Sequence, residues 1–194
     1  MTATLNSTGV LFNDSTQQNT AFIGGRGQVF TASGTFTIPT GVTAVKVTVV
    51  GGGGSSANTG GCAPTAGNSG ATSSVLSGTQ TISTISATGG AGASPPFVAN
   101  GGIGSGGDLN IRGAQSSFSA SSITFSGTGG AGLYGSGGAK GGVYSGAAGG
   151  TAIKWLTGLT PGNTLSVTVG AGGAAPAAAP NGYAGGAGVV IFEW

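Results

Sequence analysis

Histidine is absent from this 194-residue chain, cysteine occurs once, and only eight side chains carry charge. Those eight are Arg26, Lys46, Arg112, Lys140, Lys154, Asp14, Asp108 and Glu193. A zinc site needs three or four nitrogen or sulfur ligands, and nothing here supplies them. A nucleophilic triad needs a histidine or lysine base against the nucleophile, yet histidine is missing and the three lysines stand apart. Glycoside cleavage needs two carboxylates across one sugar, and the chain offers three, widely separated. The run GGGGS at 51–55 lacks the lysine and the opening helix of a phosphate loop. The composition therefore argues against an enzyme, a metal and a cofactor. Cys62 alone cannot close an intrachain disulfide, so the fold is expected not to depend on oxidation.

The net charge is +2, and no two basic residues lie within ten positions of each other. Nucleic-acid binders need clustered Lys and Arg to displace counterions from phosphates, so a nucleic-acid partner is not expected. No apolar run is long enough for a membrane-spanning helix. The opening MTATLNST has neither the basic nor the apolar region of a secretory signal. Assembly inside a cytoplasm is the expectation.

What the chain does have is glycine, 45 residues of it, with 7 prolines. Such a share usually marks low complexity. Disorder, however, goes with high net charge and few apolar residues, and here Val, Ile, Leu and Phe gather in short runs between the glycines. The chain is therefore expected to be ordered and all-β. Strand signals occur at 29–38, closed by Pro39, and at 44–50. In the latter Val45, Val47 and Val49 share one face while Lys46 and Thr48 share the other. Weaker signals lie at 72–76, 80–87 and 122–126. Residues 151–156 and 164–169 flank the turn signal TPGN at 160–163, where proline presets φ and glycine accepts a positive one. The run VVIFEW closes the chain. Strands at both ends with glycine between them point to a β-sandwich-like base with glycine-rich excursions.

Within those excursions Gly129, Gly132, Gly135, Gly138 and Gly141 fall every third residue, echoed at Gly101, Gly104 and Gly107 and at Gly182, Gly185 and Gly188. A period of three matches the polyproline II helix, which has no internal hydrogen bonds and must satisfy its backbone on neighbours. Packed polyproline or polyglycine II helices are one expectation; irregular glycine turns between short strands are the other. Collagen is a poor fit, because no proline falls in the 129–141 run.

Residues 1–27 differ in kind. A short strand at 10–12 and a turn at 13–15 are too small to fold alone, so this stretch reads as an assembly or attachment segment with a linker. The glycine-rich β domain follows at 28–194. VKVTVVGGGG (45–54), GSGGDLNIRGA (104–114), TAIKW with LTPGNTLSVTVGAGG (151–173) and GGAGVVIFEW (185–194) together resemble the glycine-rich domain at the C-terminal ends of bacteriophage tail fibre proteins. GVLFNDSTQQNTAF (9–22) resembles a short motif that precedes such tips. The resemblance implies a homotrimeric fibre end in the virion, assembled in the host cytoplasm. It implies a host cell-surface receptor, lipopolysaccharide or an outer-membrane protein, and other tail proteins as partners through the N-terminal segment. A purely structural fibre or decoration protein is the alternative, and a depolymerase a third.

A rigid glycine scaffold leaves recognition to the few large side chains on its loops. The candidate loops are 55–70, 93–100, 114–121, 133–144 and 174–183. They present Phe97, Phe118, Tyr134, Lys140, Tyr144 and Tyr183 as receptor-binding candidates, since rings give contact area at low entropic cost. The competing role for these rings is to fill gaps between subunits or segments. Trp155, Phe192 and Trp194 are expected in a core or an interface, Lys154 and Arg112 as solvated or paired charges, and Asp108 as a turn cap.

Overall fold

The computed structural model describes residues 4–6, 9–11, 17–18, 25–57, 65–94, 98–116, 135, 144–176 and 182–194, the first three stretches as backbone only. Every regular element among them is a β-strand. A small sheet near the N-terminus comprises β1 (Thr4–Asn6), β2 (Gly9–Leu11) and β3 (Gln17–Gln18), in that order. Then come β4 (Gly27–Phe30), β5 (Gly34–Thr37), β6 (Ala44–Val50), β7 (Ser73–Ser77) and β8 (Ile85–Ala87). The remaining strands are β9 (Gly104–Ser105), β10 (Leu109–Ile111), β11 (Thr151–Thr157), β12 (Thr164–Thr168) and β13 (Val189–Glu193). Two five-stranded sheets result, ordered β10-β11-β6-β13-β4 and β5-β12-β7-β8-β9, and their strand pairs are all antiparallel.

The alternation in β6 does what period two requires. Val45, Val47 and Val49 are fully buried and Lys46 and Thr48 lie on the opposite face. Both sheets turn such a face into one core, where Val47, Val190 and Phe192 of the first meet Phe36, Val75, Ile85 and Leu165 of the second. Phe30 and Trp194 pack against its margin. The arrangement is sandwich-like. Its outer faces differ: the second sheet presents Thr35, Thr37, Ser74, Ser86, Thr164, Ser166 and Thr168, with Leu76 as its exposed large apolar side chain.

The stretch 29–38, expected as one strand, is two. Residues 31–33 form a bend, so β4 pairs with β13 in one sheet and β5 with β12 in the other. The composition of Thr-Ala-Ser-Gly at the bend left it indistinguishable from continuous strand. The stretch 80–87 is shorter as well, with strand structure confined to β8. The turn at 160–163 forms as expected, the Asn163 amide donating to the Thr160 carbonyl at 3.1 Å and Gly162 at φ 88°. The signal at 122–126 lies outside the described residues.

Beyond one end of the sheets the glycine segments build a hydrogen-bonded array. Residues 51–57, which continue β6, are buried throughout. The amides of Gly51, Gly54 and Ala57 donate to the carbonyls of Gly150, Ala147 and Tyr144. Those of Gly52 and Ser55 donate to Ala71 and Asn68, and those of Gly53 and Ser56 to Gly186 and Tyr183. The partner segment thus rotates with a period of three residues. Two more segments donate inward, Gly90 to Gly52, Ala93 to Ser55 and Gly173 to Gly53.

The surrounding segments are bonded to one another in a ring. Ala147 donates to Ala91, Gly70 to Gly90, Ala71 to Ala171, Gly185 to Gly173, Gly135 to Ala187 and Gly149 to Gly135. That last bond closes a six-membered ring around the central segment. Residues 98–103 and 112–116 extend it outward, with Gly102 donating to Ala148 and Gly113 to Gly102. Such a lattice needs close backbone approach. A Cβ at Gly54 would overlap the Ala91 carbonyl, and one at Gly90 the Ala147 carbonyl. Where alanine or serine occurs instead, its side chain has found room between segments.

Candidate functional site

All eight outer and inner segments run between the sheets and one shared far end. In chain order the array segments come in pairs, 51–57 with 65–71, 88–94 with 98–103, 112–116 with 144–150, and 170–176 with 182–188. Each pair follows one strand and leads into the next: β6 to β7, β8 to β9, β10 to β11, and β12 to β13. The strand order therefore brings the ends of four connections to one end of the array. The third also returns to the array at Gly135, where φ is 61° and a Cβ would overlap the Gly51 carbonyl.

At that far end serine replaces glycine, and its hydroxyl does the work of a carbonyl. Ser55 Oγ accepts from the Asn68 amide at 2.7 Å, Ser56 Oγ from the Tyr183 amide at 2.7 Å, and Ser116 Oγ from the Ala99 amide at 2.9 Å. Asn68 Nδ2 donates to the Ala174 carbonyl at 2.8 Å, tying two connections together. The Ala99 bond is buried and those of Asn68 and Tyr183 partly so, and amides sheltered from water need such acceptors. Serine at 55, 56 and 116 closes the end of the array.

Tyr144 and Tyr183 meet here. The Tyr183 carbonyl accepts from Ser56 at 3.0 Å and the Tyr144 carbonyl from the adjacent Ala57 at 3.2 Å. Their backbones are thus clamped to consecutive residues of the central segment. The Tyr183 side chain is exposed and that of Tyr144 half-buried. Beside Tyr144, Ser145 Oγ is buried and has no hydrogen-bond partner among the described residues. Phe97, Phe118, Tyr134 and Lys140 lie outside the described residues. The loop ranges 55–70 and 93–100 need correction, because residues 55–57, 67–70, 93 and 99–100 are bonded parts of the array.

Sequence reasoning misplaced Asp108. Asp108 does not cap its own turn; Asn110 does, through Nδ2 to the Gly107 carbonyl and Oδ1 from the Gly107 amide, both at 3.0 Å. Asp108 Oδ2 instead accepts from the Trp155 amide at 2.9 Å on the neighbouring strand, and Oδ1 lies 3.3 Å from Lys154 Nζ. The Trp155 amide, aided by Lys154, holds this carboxyl below the usual aspartate range. Of the three residues expected in a core or an interface, Phe192 is fully buried in the core, Trp194 packs against its margin, and Trp155 stands 60 % exposed on the outer face of its sheet. The alternation of TAIKWLT misleads, because Lys154 shares the inward face with the buried Ala152 and Leu156, while Ile153 and Trp155 face outward.

No group of three or more His, Cys, Asp or Glu that could hold a metal occurs among the described residues. A cleft of about 620 Å³ lies at the opposite end of the domain, between Trp155, Trp194, Arg26 and the Lys46–Glu193 ion pair. It contains no nucleophile paired with a base. No protein-family model, curated protein or solved structure matches this chain.

Proposed function

We propose that this chain is the distal, receptor-binding tip of a bacteriophage tail fibre, with no enzymatic activity. One observation carries the reading: the ends of four connections, those at Tyr144 and Tyr183 among them, are gathered at one end of an array of cross-bonded backbone, with the Tyr183 ring exposed. Loops bind well when a rigid element fixes their ends, because less conformational freedom is lost on contact. In this reading the array segments are polyglycine II helices on a β-sandwich base. The three-residue rotation of partners around 51–57 supports that assignment, and at about 3.1 Å per residue the central helix would be about 19 Å long. The motif resemblance to fibre C-termini points the same way.

The tip is a homotrimer, its segment 1–27 attaches it to other tail proteins, and its ligand is lipopolysaccharide or an outer-membrane protein of the host. Tyr144 and Tyr183, with Phe97, Phe118, Tyr134 and Lys140, make the contacts. Adsorption of the purified protein to host cells tests this. Saturable binding that competes with virus is expected; absence of saturable binding and of competition would refute it.

A further inference from the structure

We propose that the outer face of the β10-β11-β6-β13-β4 sheet is the surface through which copies of this chain associate. The inference rests on the homotrimeric part of the preceding reading and names its interface.

Register places the outward side chains in two rows. One row runs Leu109, Ile153, Thr48, Ile191, Val29 across all five strands. The other runs Trp155, Lys46, Glu193, Gly27. Leu109, Ile111, Trp155 and Val29 are exposed, and Ile153 and Ile191 are half-buried between them. Thr48, small and central, leaves the middle of the row low. Lys46 and Glu193 pair with each other at 2.8 Å, so this row asks for no charge from a partner.

The same molecule supplies the comparison. Its other sheet faces outward with serine and threonine at seven positions. A sandwich whose two outer faces both met water would have no reason to differ so sharply, since antiparallel sheets present polar residues to solvent. A contiguous apolar patch with a polar rim marks an interaction surface.

A second copy fits this face by size. The five strands hold 3, 7, 7, 5 and 4 residues, which at about 3.3 Å per residue and about 4.8 Å between strands give a flat area of roughly 400 Å². Side chains standing on the sheet raise the accessible surface above that flat projection, toward the roughly 800 Å² per partner of a standard complex. The segment entering this sheet adds a second argument. The sheet β1-β2-β3 has strands of three, three and two residues, too little to hold together alone. In the chain it precedes β4, the edge strand of the apolar face, so copies joined through it have this edge tethered at high effective concentration. Three such faces around a three-fold axis would enclose a common apolar interior.

Light scattering after size exclusion, applied to the full chain, tests the assignment. The wild-type mass should be three times 17.9 kDa. Trp155→Glu and Ile191→Lys should each lower it to that of one chain while the circular dichroism stays unchanged, and Leu76→Glu on the other sheet should leave the trimer intact. Acrylamide quenching of the wild-type protein, with Trp155→Phe to assign the signal, needs no disruptive variant: the Trp155 indole should be shielded severalfold in the trimer. A trimer that survives both substitutions with Trp155 freely quenched overturns this interface and leaves the trimer standing. A wild-type monomer overturns both. Host adsorption is read separately, so neither result is confused with loss of receptor binding.

Discussion

Phe36 on β5 and Phe192 on β13 lie face to face, with ring centroids 3.9 Å apart and planes inclined by 7°. Each belongs to a different sheet, so one stack joins the two layers that carry the array. Phe30 meets the edge of Phe192 at 5.8 Å, and Trp194 tilts against Phe36 at 5.7 Å. Truncating a buried ring removes transfer free energy and leaves a cavity. Phe192→Ala is expected to cost about 3–5 kcal/mol, read as a lower midpoint in urea with an unchanged slope.

Gly54 tests the array in the opposite sense, by adding an atom. Its Cβ would overlap the Ala91 carbonyl, which is backbone and cannot swing aside. Gly54→Ala is therefore expected to destabilise by about 1–3 kcal/mol, although alanine is the smallest possible change. A melting temperature equal to that of wild type would show that the segments are farther apart than described.

How much of this was legible in the sequence follows from the kind of force involved. The strands β6, β11, β12 and β13 write themselves as apolar alternation, because each buries one face. The TPGN turn writes itself through the φ demands of proline and glycine. The split of 29–38 does not, because its bend uses residues that a strand also accepts. The array is harder still. Its order lies in bonds between segments distant in sequence, such as Gly53 to Gly186, and backbone amides leave no mark on side-chain pattern. Glycine spacing gave a partial signal: Gly185 and Gly188 do donate to one segment, at Gly173 and Gly170. Gly104 and Gly107, in contrast, belong to β9 and a bend, and most of the run 129–141 lies outside the described residues. Tyr144 and Tyr183 were named from composition, but their meeting at Ser56 and Ala57 required the fold.

Asp108 gives a pH dependence of definite sign. Its folded carboxyl titrates below the usual range, chiefly through the Trp155 amide. The stabilisation is complete above the unfolded value of about 3.9 and is lost as pH falls through the lower folded value. Thermal melts between pH 5 and pH 2 should show wild-type stability declining on acidification. Asp108→Asn, which keeps an acceptor oxygen but no titration, should flatten that decline.

Tyr183 separates recognition from folding. Its amide and carbonyl are both bound by Ser56, and those bonds survive loss of the ring. Tyr183→Ala is expected to melt within a few degrees of wild type while competing with virus for host cells roughly tenfold less well, the scale of one interface anchor. Equal competition would remove Tyr183 from the receptor surface.

Amide exchange at 51–57 reaches the centre of the account. Those seven residues have no side chain larger than serine; their amides are bonded to three neighbouring segments in turn, and the carbonyls of Gly52, Gly53 and Ser55 accept from two more. The account predicts that their amides exchange as slowly as those of Val47 and Val49 on β6, through global unfolding alone. Exchange at the rate of an open loop, with β6 still protected, would contradict it.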